Sequence, residues 1–395
     1  MRADAAGGAD GAAASALKGR RIVFVFGSLE LGGAERQALT LARHLSAREG
    51  AEVEVWGFNR PGPAAAICER HGLAWRVVPF YFGGRLPRRL ARLFKLARLL
   101  RAARPDILLP YTLIPNVVCG LTWRLAGARA CVWNQRDAGI VRMGDVWERA
   151  AVRLTTRFVA NSRQGARFLV DELKATASKV RVIRNGVEKL TPELGREAWR
   201  ARLQVEEGCF VACMVANLHR HKDHETLLRA WRTVADALRA GGREAALVLA
   251  GRRDDAYGPL LSLSRDLGID DRVVFPGHVS DVAGLLGASD LAVFSSRSEG
   301  CPNGVLESMA AGLAVAGTDV EGISEVLGAA GRPWLAPAGD AEALAGVILK
   351  LARDPALRAA VGEENRKRVR DDYDPARMCD ETAALLAECL SGGGR

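Results

Sequence analysis

At 395 residues the chain can bury a large core, and its length favours two or more domains over one. Its 49% hydrophobic and 26% charged residues are ordinary for a globular protein, and no apolar run reaches the roughly 18 residues that mark a membrane span. The net charge of +10 is uneven: residues 1–190 hold 32 Lys+Arg against 15 Asp+Glu (+17), the remainder 24 against 31 (−7). That asymmetry suits two domains with different partners, the basic one facing anions. Residues 1–19, "MRADAAGGADGAAASALKG", read as a disordered Ala/Gly tail without the apolar core of a signal peptide. Short apolar runs then alternate with amphipathic helical stretches, the pattern of parallel sheets wrapped by helices. The expected strands of the first half are "RIVFVFGS", "EVEVWGF", "WRVVPF", "DILLPY", "ACVWNQ", "RFVANS" and "VRVIRNG". A polar stretch with Pro192 and Gly195 reads as a linker at about 187–207. The pattern then restarts with "CFVACMVAN", "ALVLAG", "RVVFPG", "LAVFSS", "LAVAGT" and "PWLAP". The sequence therefore predicts an α/β protein of two doubly wound Rossmann-like domains facing across a cleft, at 20–187 and 208–370, since such sheets bind ligands beyond the carboxyl ends of their strands. Residues 371–395 read as a helix packing back on the first domain. The eight cysteines are scattered in apolar stretches, which suggests buried thiols in a reducing cytoplasm.

Three segments carry chemistry. In "FGSLELGGAERQALTLARHL", a strand, a glycine turn at Gly32-Gly33 and a helix start can bind an anion, or the glycines can serve packing alone. The spacing is not that of a dinucleotide fingerprint. In "VANLHRHKDHETLLRAW", His219, His221, Asp223 and His224 lack metal-ligand spacing, and Lys222 at a helix start reads either as a phosphate ligand or as a solvated surface lysine. In "EGCPNGVLE", Pro302 and Gly304 exclude one continuous helix between Glu299 and Glu307. Glu299 is expected at a strand end, Asn303-Gly304-Val305 as the first turn of a helix, and Glu307 in that same turn, where a carboxylate is also favoured by the dipole alone. Two acceptors bracketing phosphate-binding amides describe a nucleotide sugar.

The segments "SRSEGCPNGVLESMAAGLAVAGTDVEGISEV", "VANLHRHKDHETLLRAW", "LGGAERQALTLARHL" and "VRVIRNGVE" together resemble the signatures of group 1 (family 4) retaining glycosyltransferases, over about residues 20–390. The resemblance implies the GT-B fold and transfer of a hexose from a nucleotide-diphosphate sugar, with a UDP-sugar favoured, to a glycan or lipid-linked acceptor in cell-surface polysaccharide or glycolipid synthesis. It implies that Glu307 binds the donor ribose and Glu299 the transferred sugar. Lys222, the Gly33 turn and the amides around Gly300, Asn303, Gly304 and Val305 would neutralise the diphosphate. The base would lie near Gly277, His278 and Val279. Glu299 and Lys222 are the expected catalytic pair, with no cofactor and no metal required. Where many members carry a phosphate-binding Arg this chain has Asn217, so either Arg220 or His219 would take over, or the diphosphate is held more weakly. Arg136 stands where many members place a His; it would serve donor phosphate or an acidic acceptor, or pair with Asp137. A nucleotide-sugar epimerase and a non-catalytic nucleotide-sugar-binding subunit are the alternatives.

"GRLPRRLARLFKLARLLRAARPD" carries eight basic residues from Arg85 to Arg104 and no acid before Asp106. Leu90, Leu93, Ala97 and Leu100 are expected on the face turned to the core, with Arg88, Arg92, Lys95 and Arg98 mostly opposite. The basic face suits an anionic membrane surface, which gives an expected cytoplasmic location, peripheral on the inner side of the membrane. No nucleic-acid-binding signature accompanies the charge.

Overall fold

The computed structural model describes residues 15–189 and 191–391. Its strands are β1 (Arg21–Phe26), β2 (Glu52–Phe58), β3 (Ala74–Val78), β4 (Ile107–Pro110), β5 (Ala130–Gln135), β6 (Arg157–Ala160) and β7 (Val180–Val182), followed by β8 (Phe210–Val215), β9 (Ala245–Ala250), β10 (Val273–Gly277), β11 (Leu291–Phe294), β12 (Val315–Thr318) and β13 (Leu335–Ala336). Each matches a run expected from the sequence, with β3 and β9 beginning one residue before theirs. A seven-stranded sheet runs β3-β2-β1-β4-β5-β6-β7 and a six-stranded sheet β10-β9-β8-β11-β12-β13. Both orders reverse direction beside their first strand, the doubly wound topology whose ligand sites lie at the switch point. In the first sheet that point falls between β1 and β4; in the second it falls between β8 and β11. The central strands are apolar on both faces, as parallel strands covered by helices must be: Ile22 to Phe26 and Phe210 to Met214 are fully buried.

The chain forms two compact units. One comprises Met1–Trp133, Leu154–Arg157 and Cys379–Arg395; the other comprises Asn134–Arg153 and Phe158–Met378. In the first unit, Phe24, Phe26 and Tyr111 pack ring on ring at 5.7–6.5 Å. Arg129 Nη2 donates to the Leu390 carbonyl, and Leu385, Leu386 and Leu390 of the helix Pro375–Ser391 are buried. The expected tail lies outside the described residues up to 14. From 15 onward the chain is built into the unit, with a turn over 16–19 and Leu17 1% exposed.

The stretch 187–207 read as a linker contains the helix Arg196–Arg202, whose Trp199 and Arg200 are buried. Asp281 holds this segment, accepting from Trp199 Nε1 at 2.7 Å and from the Glu193, Leu194 and Gly284 amides at 2.9–3.1 Å. Burial alone would raise the Asp281 pKa, but these donors outweigh it and hold the carboxyl below its usual range. Arg200 donates to Asp290 and to four backbone carbonyls, of Ala288, Glu206, Glu207 and Cys209. Isolated polar letters thus concealed two buried hubs. One expectation is corrected for the helix Leu86–Ala103: its buried stripe is Leu93, Leu96, Ala97 and Leu100, while Leu90, expected on the core face, is 50% exposed. The first turns run past the layer that covers the later ones.

Candidate active site

The site grows from the switch point of the second sheet. β8 leads through residues 216–219 into a 3-10 turn at Arg220–Lys222, and Asp223 then takes a left-handed conformation (φ 45°) before the helix His224–Ala240. Asp is among the few residues that tolerate this region, and its buried carboxylate is held by Thr226 Oγ1 at 2.8 Å, with Arg297 at 3.5 Å. On the other side, β11 leads into residues 295–302. Backbone and side chain tie the two loops together: Arg297 N donates to His221 O at 3.1 Å, and Ser295 Oγ to Lys222 O at 3.4 Å. Lys222 Nζ consequently meets Glu299 Oε1 at 2.5 Å, and Ser296 Oγ donates to the same oxygen at 2.6 Å. Glu299 is 9% exposed and the Lys222 side chain 28%, so the structure joins the two residues expected to be catalytic in one part-buried, charge-balanced pair. Glu299 lies five residues beyond β11, in the loop rather than at the strand end.

The helix Asn303–Ala310 begins as expected, with Pro302 as its N-cap. The amides of Asn303, Gly304 and Val305 precede the first intrahelical bond, which Leu306 N makes to Pro302 O at 3.2 Å. Glu307 is the fifth residue of this helix, so it lies just past the first turn in which it was expected. The dipole reading for its carboxylate is therefore weakened, and a ligand role gains. Gly304 has a packing reason: a Cβ there would strike the Val215 carbonyl and the Phe294 ring, so the helix crosses directly over the ends of β8 and β11. Gly300 is placed less tightly, with Asn161 Oδ1 and Arg136 O at 3.0 and 3.1 Å from a Cβ position.

A network missing from the sequence reading secures this loop. Asn185, 3% exposed, donates through Nδ2 to Cys301 O at 3.1 Å and to Asn303 Oδ1 at 2.7 Å. Arg136 Nη2 donates to Asn185 Oδ1 at 2.7 Å, and Asn161 Nδ2 to Arg136 O at 3.1 Å. Arg136 can only donate, which fixes the Asn185 amide with its nitrogen toward the loop. Asp137 accepts from the Gly139 and Ile140 amides and from Gln135, while burial raises its pKa. The "RNG" turn was the available signal, but its partners in the loop, Cys301 and Asn303, lie more than a hundred residues away. Burial pushes the Cys301 thiol up to about 12, which leaves it without thiolate chemistry.

The remaining expected residues divide. Asn217 Oδ1 accepts from Arg252 N at 3.2 Å, and Arg220 and His219 lie 3.6 and 3.9 Å from Asp255. His219 and His221 stack at 4.7 Å. Gly277 ends β10 with φ 79°, followed by exposed His278 and half-buried Val279. Gly33 belongs to the first unit, where it opens the helix Gly33–Ala47; there Glu35 Oε2 accepts from Gly32 N at 3.1 Å, so a carboxylate already faces that turn. Among the described residues no group of three or more His, Cys, Asp or Glu is placed to hold a metal.

Comparison with known proteins agrees with this architecture. A family model described as Glycosyl transferases group 1 matches residues 195–368, and one described as Glycosyltransferase Family 4 matches residues 31–189. The N-acetyl-alpha-D-glucosaminyl L-malate synthase of Bacillus anthracis is 31% identical over 147 residues, covering 37% of this chain and only 38% of that relative's length. The lipopolysaccharide core biosynthesis glycosyltransferase LpsE of Rhizobium meliloti (strain 1021) is 26% identical over 90% of this chain and 96% of its own. The crystal structure of Anabaena Alr3699/HepE in complex with UDP-glucose superposes with a TM-score of 0.80 at 21% identity, over 93% of this chain and 99% of that one. The two matched segments correspond to the two sheets in order, and the chain therefore belongs to the group 1 (family 4) glycosyltransferases of GT-B fold.

Proposed function

We propose that this glycosyltransferase is a retaining hexosyltransferase that moves a hexose from a UDP-sugar to a glycan or lipid-linked acceptor in lipopolysaccharide or other cell-surface polysaccharide synthesis, working on the cytoplasmic side of a membrane. The observation that carries the reading is the Lys222–Glu299 pair beside the start of the helix Asn303–Ala310. Lysine and three helix-start amides offer positive charge to a diphosphate, and Glu299 then has an oxygen for sugar hydroxyls. Glu307 is assigned to the ribose, and Gly277, His278 and Val279 to the base. Arg136 is assigned to holding Asn185 rather than to the acceptor, since its Nη2 donates there.

In the proposed step the bond from the anomeric carbon to the diphosphate oxygen breaks and the bond to the acceptor oxygen forms on the same face. The acceptor's proton passes to the departing diphosphate. The chain's residues supply position and charge rather than a nucleophile. Lys222 and the helix amides take the part a metal would play, so chelation is expected to leave the rate unchanged. The UDP-glucose complex of the Anabaena relative and the lipopolysaccharide role of the Rhizobium relative support donor and pathway. The test is a panel of UDP- and GDP-sugars with saccharide and lipid-diphosphate-saccharide acceptors, read by product mass and anomeric configuration. Addition of one hexose with retained configuration, dependent on acceptor, is expected. Epimerised sugar without acceptor, or an inverted product, overturns the reading.

A further inference from the structure

The helix Leu86–Ala103 exposes apolar side chains that a folded chain normally covers. Leu86, Leu90 and Phe94 are 58%, 50% and 60% exposed, and Tyr81, just before the helix, is 68% exposed. Spacing of four residues puts Leu86, Leu90 and Phe94 in one row along the helix. Arg85, Arg88, Lys95 and Arg98 are exposed on the same element, and none makes an ion pair among the described residues. No acidic residue occurs between Tyr81 and Arg104. Arg92 is already occupied: its Nη1 donates to Tyr81 O and Gly83 O, and its guanidinium covers the Tyr81 ring at 5.2 Å. That contact fixes Tyr81 against the helix with its ring still largely in solvent. No helix among the described residues is long and apolar enough to cross a membrane.

From these features we infer that Leu86, Leu90 and Phe94, flanked by Arg98 and carried on a helix whose other exposed positions include Arg85, Arg88 and Lys95, form a wedge that inserts into the head-group region of an anionic lipid bilayer. The inference deepens the membrane-side part of the reading above. Charge alone would give attachment that salt dissolves, because exposed charges are screened within about 10 Å at ordinary ionic strength. An inserted row of leucine and phenylalanine adds a component that salt does not remove, and unpaired cations beside it select anionic lipid. A bilayer suits this pattern better than a protein surface does, since its head groups can follow four cations that have no fixed partner.

The experiment is co-sedimentation of the full chain with vesicles of phosphatidylcholine alone and with about one-third phosphatidylglycerol, at low salt and at roughly 0.5 M salt. Binding to the anionic vesicles at least about tenfold tighter than to neutral ones is expected, with a fraction retained at high salt. Leu90→Ser with Phe94→Ser removes the salt-resistant fraction, and Arg88→Gln with Lys95→Gln and Arg98→Gln removes the preference for anionic lipid. Thermal melting of both variants should match the parent, since all five positions are solvent-facing. Equal binding to both vesicle types, or full salt-resistant binding by the serine variant, overturns the inference. So does a dimer that the serine variant dissociates without any vesicle binding. No donor or acceptor is present in this assay, so its failure leaves the transferase reading standing, and a failed donor panel leaves the vesicle result standing.

Discussion

Lys222 and Glu299 neutralise each other in the structure, and that sets what their removal does. Lys222→Ala takes away the cation assigned to the leaving diphosphate, and loss of one such donor costs about 10²–10³ in kcat. It also strands Glu299, 9% exposed, without its counter-charge. Breaking a buried pair costs about 3–5 kcal/mol; here about 2–3 kcal/mol is expected because the Lys222 side chain keeps 28% exposure. Adding Glu299→Gln should restore most of that stability and none of the activity. Urea titration of both variants checks this, and equal destabilisation in the single and double variants would refute the pairing argument. His224, next but one in sequence, is 2% exposed, and neither ring nitrogen has a hydrogen-bond partner. Burial first, and Lys222 second, lower its pKa from 6.5 to about 3. An unfolded chain binds this proton below 6.5 while the folded one refuses it, so stability is fully present above that pH and falls by about 1.4 kcal/mol per pH unit below it. His224→Leu should remove this slope between about pH 6.5 and 5 without lowering stability at neutral pH, because no buried hydrogen bond is lost. A urea midpoint that still drops with the parent's slope would contradict it.

The elements were legible because parallel strands must be apolar throughout and their boundaries fall at turn residues; all the expected runs became strands. The start of the helix Asn303–Ala310 was equally plain from Pro302. What holds that start in place was not. Asn185 reaches it through Cys301 O and Asn303 Oδ1 from the turn after β7, and a sequence shows only neighbours along the chain. The same limit hid Asp281 and Arg200, whose partners close the linker helix onto the second sheet. Asn185→Asp keeps the acceptor for Arg136 but replaces the donor aimed at the loop with a carboxylate facing two oxygens. We expect kcat/KM for the donor to fall at least about tenfold, with stability lowered by about 1–3 kcal/mol. Steady-state kinetics with donor varied, beside a urea titration, test this. If the loop is only scaffold, stability falls and the kinetics of the folded fraction stay at the parent value.

At the scale of the whole molecule, residues 371–395 read from the sequence as a helix packing back on the first domain, but buried leucines on an amphipathic helix do not name the residues that receive them. In the structure Cys379–Arg395 groups with the first unit. There Leu385, Leu386 and Leu390 are at most 7% exposed, and Arg129 caps the Leu390 carbonyl. His44 lies 3.3 Å from Asp380. Burying a leucine side chain stabilises by about 1.5–3 kcal/mol, so the three together contribute on the order of 5 kcal/mol or more. That is comparable with the lower end of the whole stability of a domain, about 5–15 kcal/mol. A chain ending after Met378 should therefore lose the cooperative melting of the unit built on β1, β2 and β4, while the unit built on β8 to β13 still melts. Limited proteolysis should cut first in the segment 15–133, leaving a fragment that spans the second sheet. A truncated chain that melts in the parent's transitions would show that the first unit closes its core without the terminal helix.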